Sequence, residues 1–256
     1  MMDERFARGN SLLHRRDPKV KVIVAAAFIT VAAISNSFAV VTLALTLAFL
    51  LLFVARLEPL QVGKRLLAAN TFTLFLWLTL PLTYGGEELT RLGPFTLSVE
   101  GIRLATLISL KTNCIVLALM TLLGTSRIAS LGHAMEGLHV SRRLCFLLLF
   151  SYRYIFVIHQ EYGKLTRAAA MRCFVPATTL HTYRTYGYLF GMTLVRSWNR
   201  AIRVHQAMLL RGFNGHLIPL EQQAIGRNDI IFLVLGLSMT AAIATIGFVS
   251  CPIPLY

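Results

Sequence analysis

The stretch DIIFLVLGLSMTAAIATIGFV, residues 229–249, is apolar almost throughout after its first residue. An α-helix needs roughly 20 such residues to cross the hydrocarbon core of a bilayer. Four further segments of comparable character precede it, at about 20–35, 38–55, 66–84 and 101–123. The sequence therefore predicts an all-α integral membrane protein with about five transmembrane helices.

The composition supports this class of protein. Hydrophobic residues make up 56% of the 256 residues and charged residues only 14%, against about 25% charged residues in a typical soluble domain. The net charge of +14 also suits a nucleic-acid-binding protein, but the basic residues form no dense tract and no nucleic-acid motif is present. The four cysteines lie far apart without a C-x-x-C pair, which argues against a disulfide framework and a zinc site.

The N-terminal region shares features with a signal peptide, because RRDPKVK precedes the apolar VIVAAAFITVAAIS. A second apolar run follows almost at once, after the polar turn Ser35-Asn36-Ser37. This pattern favours an uncleaved first span over a cleaved leader.

The basic residues predict the orientation of the chain, because Lys and Arg accumulate in cytoplasmic segments. Six of them precede the first span, three separate the second span from the third, and thirteen lie in residues 125–228. The loop 85–100 has one basic residue against three acids. A cytoplasmic N-terminus and five spans place all three basic segments on one side.

Residues 125–228 contain no clean transmembrane run, yet they are too apolar for an ordinary soluble domain. Apolar residues recur at helical spacing beside a basic face, namely Leu189, Met192, Val195, Trp198 and Ile202 beside Arg196, Arg200 and Arg203. Such helices suit a membrane surface or another protein, and periodicity alone leaves both open. The chain is divided into a transmembrane domain, 1–124, a cytoplasmic-side domain of long amphipathic helices, 125–228, and a C-terminal transmembrane helix, 229–256.

Two short motifs in this segment each place an arginine late in a predicted helix. They are AMRCF, residues 170–174, and AMLLRGF, residues 207–213. Gly212 predicts a helix end because glycine accepts a left-handed conformation, and Pro176 predicts the end of the earlier helix. The helix dipole favours a C-terminal arginine by about 0.3–1 kcal/mol, which is enough to explain either motif alone. Two copies instead suggest that Arg172 and Arg211 enter two equivalent acidic grooves of a dimeric partner.

Three stretches of the chain carry a family resemblance. LHTYRTYGYLFGMTLVRSWNRAIRVHQAMLLRGFNG, residues 180–215, resembles the transmembrane T component of energy-coupling factor transporters, most of all the CbiQ type of cobalt and nickel uptake systems. SLLHRRDPKVKVI, residues 11–23, is similar to the N-terminal part of that family. LGHAMEGLHVSRRLCFLLLFSYRYI, residues 131–155, resembles the segment before its coupling helices.

The resemblance implies that two Ala-Arg-Gly-like motifs end two coupling helices. Each helix would dock in a groove on one subunit of a cytoplasmic ABC-type ATPase dimer. The motif residues would be Ala170, Met171, Arg172, Leu210, Arg211 and Gly212. Cys173 stands where the family pattern has glycine, and its Cβ disfavours a left-handed cap. We therefore expect the first helix to continue slightly toward Pro176.

The resemblance also implies a division of labour in a bacterial or archaeal cytoplasmic membrane. The ATPase dimer would bind ATP and Mg²⁺, and a separate S-type membrane subunit would bind Co²⁺ or, as the second expectation, Ni²⁺. This chain would hold no cofactor and would couple the two. It contains no G-x-x-x-x-G-K-[ST] motif for ATP.

The remaining candidate residues are histidines and intramembrane charges. The seven histidines show neither H-x-x-x-H nor H-E-x-x-H spacing, so no metal site is predicted. Charges at membrane depth usually face protein or water. Arg103 is expected to snorkel near the outer edge, and Lys111 to contact another subunit inside the membrane.

Two alternative functions remain. The first is a membrane-embedded enzyme that acts on lipid-like substrates, but the acids of residues 125–228 are too widely spaced for a catalytic cluster. These acids are Glu136, Glu161 and Glu221. The second is a basic adaptor on the membrane surface, which explains the charge but not the paired arginine motifs.

Overall fold

A computed structural model describes residues 9, 11–83, 88–92, 95–138, 140–213 and 226–250. Within these residues it has eight α-helices, one π-helical segment and one hairpin of two short strands. The helices are α1 (Pro18–Ile34), α2 (Phe38–Ala55), α3 (Pro59–Thr83), α4 (Val99–Ala118), α5 (Ile128–Gly137), α6 (Arg142–Met171), α7 (Leu180–Leu210) and α8 (Arg227–Ser250). The strands β1 (Glu88–Leu92) and β2 (Phe95–Ser98) pair antiparallel between α3 and α4. The prediction of an all-α membrane protein is confirmed, with this hairpin as a small addition.

Four helical stretches of the described chain are long and apolar enough to cross a bilayer. They are Phe38–Ala55, Pro59–Thr83, Val99–Leu123 and Arg227–Gly247. The third includes the π-helical segment Leu119–Leu123, which continues α4. The remaining predicted span corresponds to α1, whose 17 residues lie at the lower limit of roughly 17–25 for a transmembrane helix.

The chain divides into two compact units. One lies within residues Met135–Glu221, and its long helices are α6 and α7; we call it the hairpin unit. The other comprises Glu4–Ala134 and Gln222–Tyr256 and contains α1–α4 and α8; we call it the membrane unit.

Small residues allow the helices of the membrane unit to approach closely. Alanines are prominent in its buried core, which includes Ala32, Ala44, Ala48, Cys114, Leu117 and Ala118. In lipid, helices associate through close van der Waals packing rather than the hydrophobic effect, so small side chains at the interfaces favour assembly. α8 packs against α1 at Gly236, where a Cβ would lie only 2.8 Å from a Val24 methyl group.

In the hairpin unit, α6 and α7 have 30 and 31 residues and are amphipathic. They run antiparallel, since Phe146 near the start of α6 contacts Phe213 just beyond α7, with ring centroids 5.4 Å apart. Tyr162 and Phe190 stack farther along the pair, at 5.1 Å. Much of the apolar surface of α7 stays exposed within the chain, including Leu194 and Trp198. The unit is therefore a helical hairpin with apolar surface available to a partner or to lipid.

Candidate functional site

The two motif arginines occupy the same structural position. α6 ends at Met171, and Arg172 is its C-cap with φ −95° and ψ 27°. α7 ends at Leu210, and Arg211 is its C-cap with φ −93° and ψ 13°. Each arginine therefore stands at the point where a long helix stops.

The backbone hydrogen bonds after the two arginines also correspond one to one. The first residue after each arginine donates its amide to the carbonyl of the second-last residue of the helix. The second residue after each arginine donates its amide to the carbonyl of the third-last residue of the helix. The bonds run from Cys173 to Ala170 (3.0 Å), Phe174 to Ala169 (3.2 Å), Gly212 to Leu209 (3.0 Å) and Phe213 to Met208 (3.0 Å). This pair of bonds defines the Schellman motif, which satisfies carbonyls that a helix end leaves unpaired.

The conformation of Cys173 corrects one prediction and that of Gly212 confirms another. Gly212 is left-handed, with φ +76°, as expected for a glycine cap. Cys173 is left-handed too, with φ +62°, so α6 stops at Met171 instead of continuing toward Pro176. Two backbone hydrogen bonds and the packing of Phe174 offset the Cβ penalty of about 1–2 kcal/mol.

A phenylalanine lies two residues after each arginine, and each one packs against an aromatic residue of the hairpin unit. The Phe174 ring meets Tyr186 edge to face, with centroids 5.7 Å apart, and lies 6.4 Å from the His181 ring. Phe213 contacts Phe146 at the other end of the pair. Aromatic packing of this kind fixes the direction of the chain after the cap.

The motif residues form an exposed surface at each helix end. These residues are Ala170, Met171, Arg172, Leu210, Arg211 and Gly212. Met171 is 80% and Leu210 90% exposed. Within the described part of the chain, neither Arg172 nor Arg211 has a hydrogen-bond or ion-pair partner for its side chain. An unpaired guanidinium beside an exposed apolar side chain is a combination that suits a protein–protein contact.

Because α6 and α7 are antiparallel, the two arginine surfaces lie at opposite ends of the hairpin unit. Arg211 is near Phe146, through Phe213, whereas Arg172 ends the same helix that contains Phe146. At about 1.5 Å per residue, this part of α6 spans about 40 Å. The two surfaces are thus suited to two separate binding sites and not to one small pocket.

A carboxylate links the middle of the two helices. Glu161 on α6 accepts a 2.8 Å hydrogen bond from Nη1 of Arg196 on α7, and Arg200 approaches it to 3.5 Å. Lys164 lies 3.6 Å away on the same helix. The hydrogen bond from Arg196 and the nearby positive charges hold the pKa of Glu161 below its ordinary value.

The sequence interpretation missed this cluster, since it treated Glu161 only as an isolated acid. Glu161 is the only acidic residue of α6 and α7, and the arginines of α7 were assigned a common face. A single acidic residue on one helix and a row of arginines on the next is the sequence pattern that could have predicted this ion pair. The cluster connects α6 and α7 near the middle of the pair.

An apolar groove runs along the hairpin unit next to this cluster. It is lined by Tyr154 and Ile158 of α6, by Val195 and Trp198 of α7, and by Glu161. Two residues of the apolar stripe predicted on α7, Val195 and Trp198, therefore line this groove.

The membrane unit gives the two intramembrane charges partners within the chain. Nζ of Lys111 donates to the carbonyl of Ala33 at 2.9 Å and to Oδ1 of Asn36 at 3.0 Å, so it binds the C-terminal end of α1. Arg103 lies 5.6 Å above the Phe38 ring, a cation–π contact. The contact of Lys111 with another subunit stays a prediction.

No group of three or more His, Cys, Asp or Glu side chains converges within the described residues in a way that could hold a metal ion. The described residues of the hairpin unit therefore present two arginine caps, one charged cluster and an apolar groove.

The family model of the CbiQ cobalt transport proteins matches residues 9–223. The chain belongs to this family. The matched range includes α1–α7 and both arginine motifs. The chain is therefore a member of a family of transport proteins and not of a family of catalytic enzymes.

Relatives of the chain agree with this assignment. The energy-coupling factor transporter transmembrane protein EcfT of Brevibacillus brevis is 25% identical over 225 residues, covering 82% of this chain and 83% of the relative. An uncharacterised protein of Methanocaldococcus jannaschii is 25% identical over 228 residues, 85% of this chain and 82% of the relative. The nickel permease LarQ of Lactiplantibacillus plantarum is 32% identical over 84 residues, 33% of this chain and 30% of the relative. The CbiQ-family chain is thus similar to a transmembrane protein of an energy-coupling factor transporter and, over a third of its length, to a nickel permease.

Proposed function

We propose that this CbiQ-family chain is the coupling subunit of an ATP-driven importer of divalent transition-metal ions, with cobalt as the first expectation and nickel as the second. An ABC-type ATPase dimer would bind ATP and Mg²⁺, and a separate S-type membrane subunit would bind the metal ion as cargo. The chain would transmit movement between them.

The observation that supports this proposal is the structural equivalence of Arg172 and Arg211. Both are exposed C-caps of long helices, both precede a left-handed residue, and they lie at opposite ends of one hairpin. A dimeric ATPase offers two equivalent grooves, so a partner with two related sites fits two related arginines. Arginine can bind a carboxylate in each groove with two parallel hydrogen bonds, which fixes orientation as well as position.

In this mechanism, ATP binding and hydrolysis change the spacing of the two grooves. The arginine caps follow the grooves, and the hairpin unit moves as α6 and α7 are displaced at their ends. The Glu161 cluster keeps the two helices together while they move. The membrane unit then acts on the metal-binding subunit.

The proposed orientation places the N-terminus and residues 125–228 on the cytoplasmic side of the inner membrane. The distribution of Lys and Arg supports it, because the loops assigned to that side carry nearly all the basic residues. The ATPase must also be cytoplasmic, since ATP is available there.

The test is co-purification of the tagged chain from its native membrane in mild detergent, with the bound proteins identified by mass spectrometry. We expect an ABC-type ATPase and a small metal-binding membrane subunit, and loss of the ATPase from the Arg172→Ala, Arg211→Ala double variant. Arg167→Ala with Arg203→Ala is the matched control, because both residues are exposed arginines inside the same helices. Retention of the ATPase by the first double variant, or its loss from the control, would overturn the assignment of the coupling residues.

A further inference from the structure

A buried polar cluster lies in the membrane unit where α1, α8 and the π-helical end of α4 meet. Lys21 is 0% exposed, although a lysine in an apolar core is costly unless its charge is stabilised. The other members of the cluster are buried as well, namely Asp17, Thr125, Ser126 and Asp229. The sequence alone places Lys21 in the basic flank before the first span.

The contacts of Lys21 hold the end of the fourth membrane helix. Its ammonium group donates to the hydroxyl of Ser126 at 2.8 Å and to that of Thr125 at 3.3 Å. The Thr125 hydroxyl donates in turn to the carbonyl of Thr121 at 2.9 Å, inside the π-helical segment. Asp17 and Asp229 add electrostatic attraction for the ammonium group without direct contact.

The contacts of Asp229 hold the start of the last helix. Its Oδ2 accepts the amide of Gly226 at 3.1 Å, immediately before α8, which is the half of a capping box that the side chain of the third helical residue supplies. Its Oδ1 accepts the amide of Asp17 at 3.4 Å, and Arg16 lies 3.7 Å away. One carboxylate therefore joins the beginnings of α1 and α8.

The cluster includes residues next to both points where the chain connects the two units. Ser126 lies just before α5, along which the chain passes into the hairpin unit at Met135, and Gly226 lies shortly after Glu221, where the chain has left that unit. Ser126, at the start of one connection, is held by Lys21 of α1. Gly226, at the end of the other, is held by Asp229, which also accepts the amide of Asp17, the N-cap of α1.

We propose that Lys21, Asp17 and Asp229 form an anchor through which displacement of the two chain connections is passed to α1 and α8. Lys21 is then a positioning residue for coupling, and this role rests on the proposed coupling function. A buried ammonium group suits the role because it fixes two hydroxyl groups in one geometry, whereas apolar contacts permit sliding.

The anchor itself is tested by amide hydrogen exchange of the purified chain. Lys21→Met removes the charge and keeps the length of the side chain. We expect exchange near residues 124–130 and 226–232 to accelerate by about tenfold or more, as the loss of a charged hydrogen bond predicts, with α3 unchanged. Lys19→Met removes the same charge two positions away and serves as the control. Unchanged exchange at both segments in Lys21→Met would overturn the anchor. If that variant fails to fold, Asp229→Asn should accelerate exchange near 226–232, where Asp229 holds Gly226, and unchanged exchange there would overturn the anchor instead.

Its role in coupling is tested in the complete transporter reconstituted in liposomes. In Lys21→Met we expect the ATPase to remain bound and ATP hydrolysis to stay within about twofold, while metal uptake falls about tenfold or more. A parallel fall in assembly, hydrolysis and uptake would reduce the cluster to a structural role and overturn the coupling part. If the wild-type chain binds no ATPase at all, the proposed function fails, and the exchange experiment still decides whether the anchor exists.

Discussion

Cys173 and Gly212 occupy the same left-handed position after the two capping arginines, with φ values of +62° and +76°. The two motifs are equivalent in backbone conformation and hydrogen bonding although they differ in sequence. A glycine adopts this conformation without strain, whereas a cysteine retains an unfavourable contact of its Cβ. The end of α6 is thus the more strained of the two.

Substitution of Cys173 by glycine should stabilise the chain. The left-handed strain is removed, and part of the gain is offset by the greater freedom of glycine in the unfolded state, which leaves about 1 kcal/mol or about 2–4 °C in Tm. Thermal unfolding of the purified protein in detergent measures the change. Cys173→Ala keeps a Cβ and should leave Tm unchanged, and Gly212→Ala should lower it. A lower Tm for Cys173→Gly would contradict the strain argument.

Glu161 should make the stability of the hairpin unit depend on pH. Its pKa in the folded protein is lowered from the ordinary value of 4.5, first by the Arg196 hydrogen bond. A lowered pKa means that the stabilisation is complete above the ordinary value and disappears as the pH falls through the folded value. Wild type should therefore exceed Glu161→Gln in Tm at neutral pH, and the difference should vanish in acid.

Thermal unfolding between about pH 7 and pH 3 measures this difference. Glu136→Gln is the control, because Glu136 forms a long pair, 3.7 Å, with the exposed Arg142, and such pairs contribute little. A constant difference between wild type and Glu161→Gln over the whole range would show that the charge of Glu161 is not what stabilises the hairpin.

Lys111 should stabilise the chain by binding the end of α1. Its ammonium group bonds Ala33 and Asn36, so Lys111→Met should cost about 1–2 kcal/mol. Asn36→Ala should cost less, and the double variant should fall short of the sum of the two, because both remove one shared interaction. Lys64→Met, on an exposed part of α3, is the control. An unchanged Tm together with loss of the metal-binding subunit would favour the predicted subunit contact instead.

The sequence predicted those features that depend on local patterns. The apolar runs located α2, α4 and α8, and the glycine at 212 predicted the end of α7, because each signal lies within one helix. The hairpin of β1 and β2 was not predicted, since it forms in a short loop that was judged only by its charges. The π-helical segment in α4 also has no local signal in the sequence.

The features that the sequence did not predict depend on contacts between distant residues. Glu161 and Arg196 meet only because α6 and α7 pair antiparallel, and Lys21 is buried only because α4 ends beside α1. The left-handed Cys173 depends on the packing of Phe174 against the next helix. The sequence prediction considered only the steric cost of the Cys173 Cβ in a left-handed conformation and not this packing. It therefore placed the end of α6 too far along the chain.

The equivalent caps lead to a prediction about the two arginines themselves. The sequence alone predicts that Arg211→Ala abolishes or sharply weakens metal uptake and that Arg172→Ala weakens it. The matching conformations at 172 and 211 predict instead that both alanine variants impair uptake to a similar extent, while membrane insertion is retained. Transport assays in proteoliposomes measure uptake, and wild-type uptake in the double variant would exclude the coupling role.

Lysine substitutions separate charge from geometry at the same sites. Arg172→Lys and Arg211→Lys keep the positive charge but lose the planar fork that binds a carboxylate through two hydrogen bonds. Each should therefore weaken ATPase binding by about tenfold, equivalent to about 1.4 kcal/mol, and less than the alanine variants do. Titration of the ATPase onto the chain in nanodiscs gives the affinities, with Arg203→Lys as the control on α7. Wild-type affinity in both lysine variants would mean that the grooves recognise only the positive charge. A large difference in affinity between Arg172→Lys and Arg211→Lys would mean that the two equivalent caps do not bind equivalent grooves.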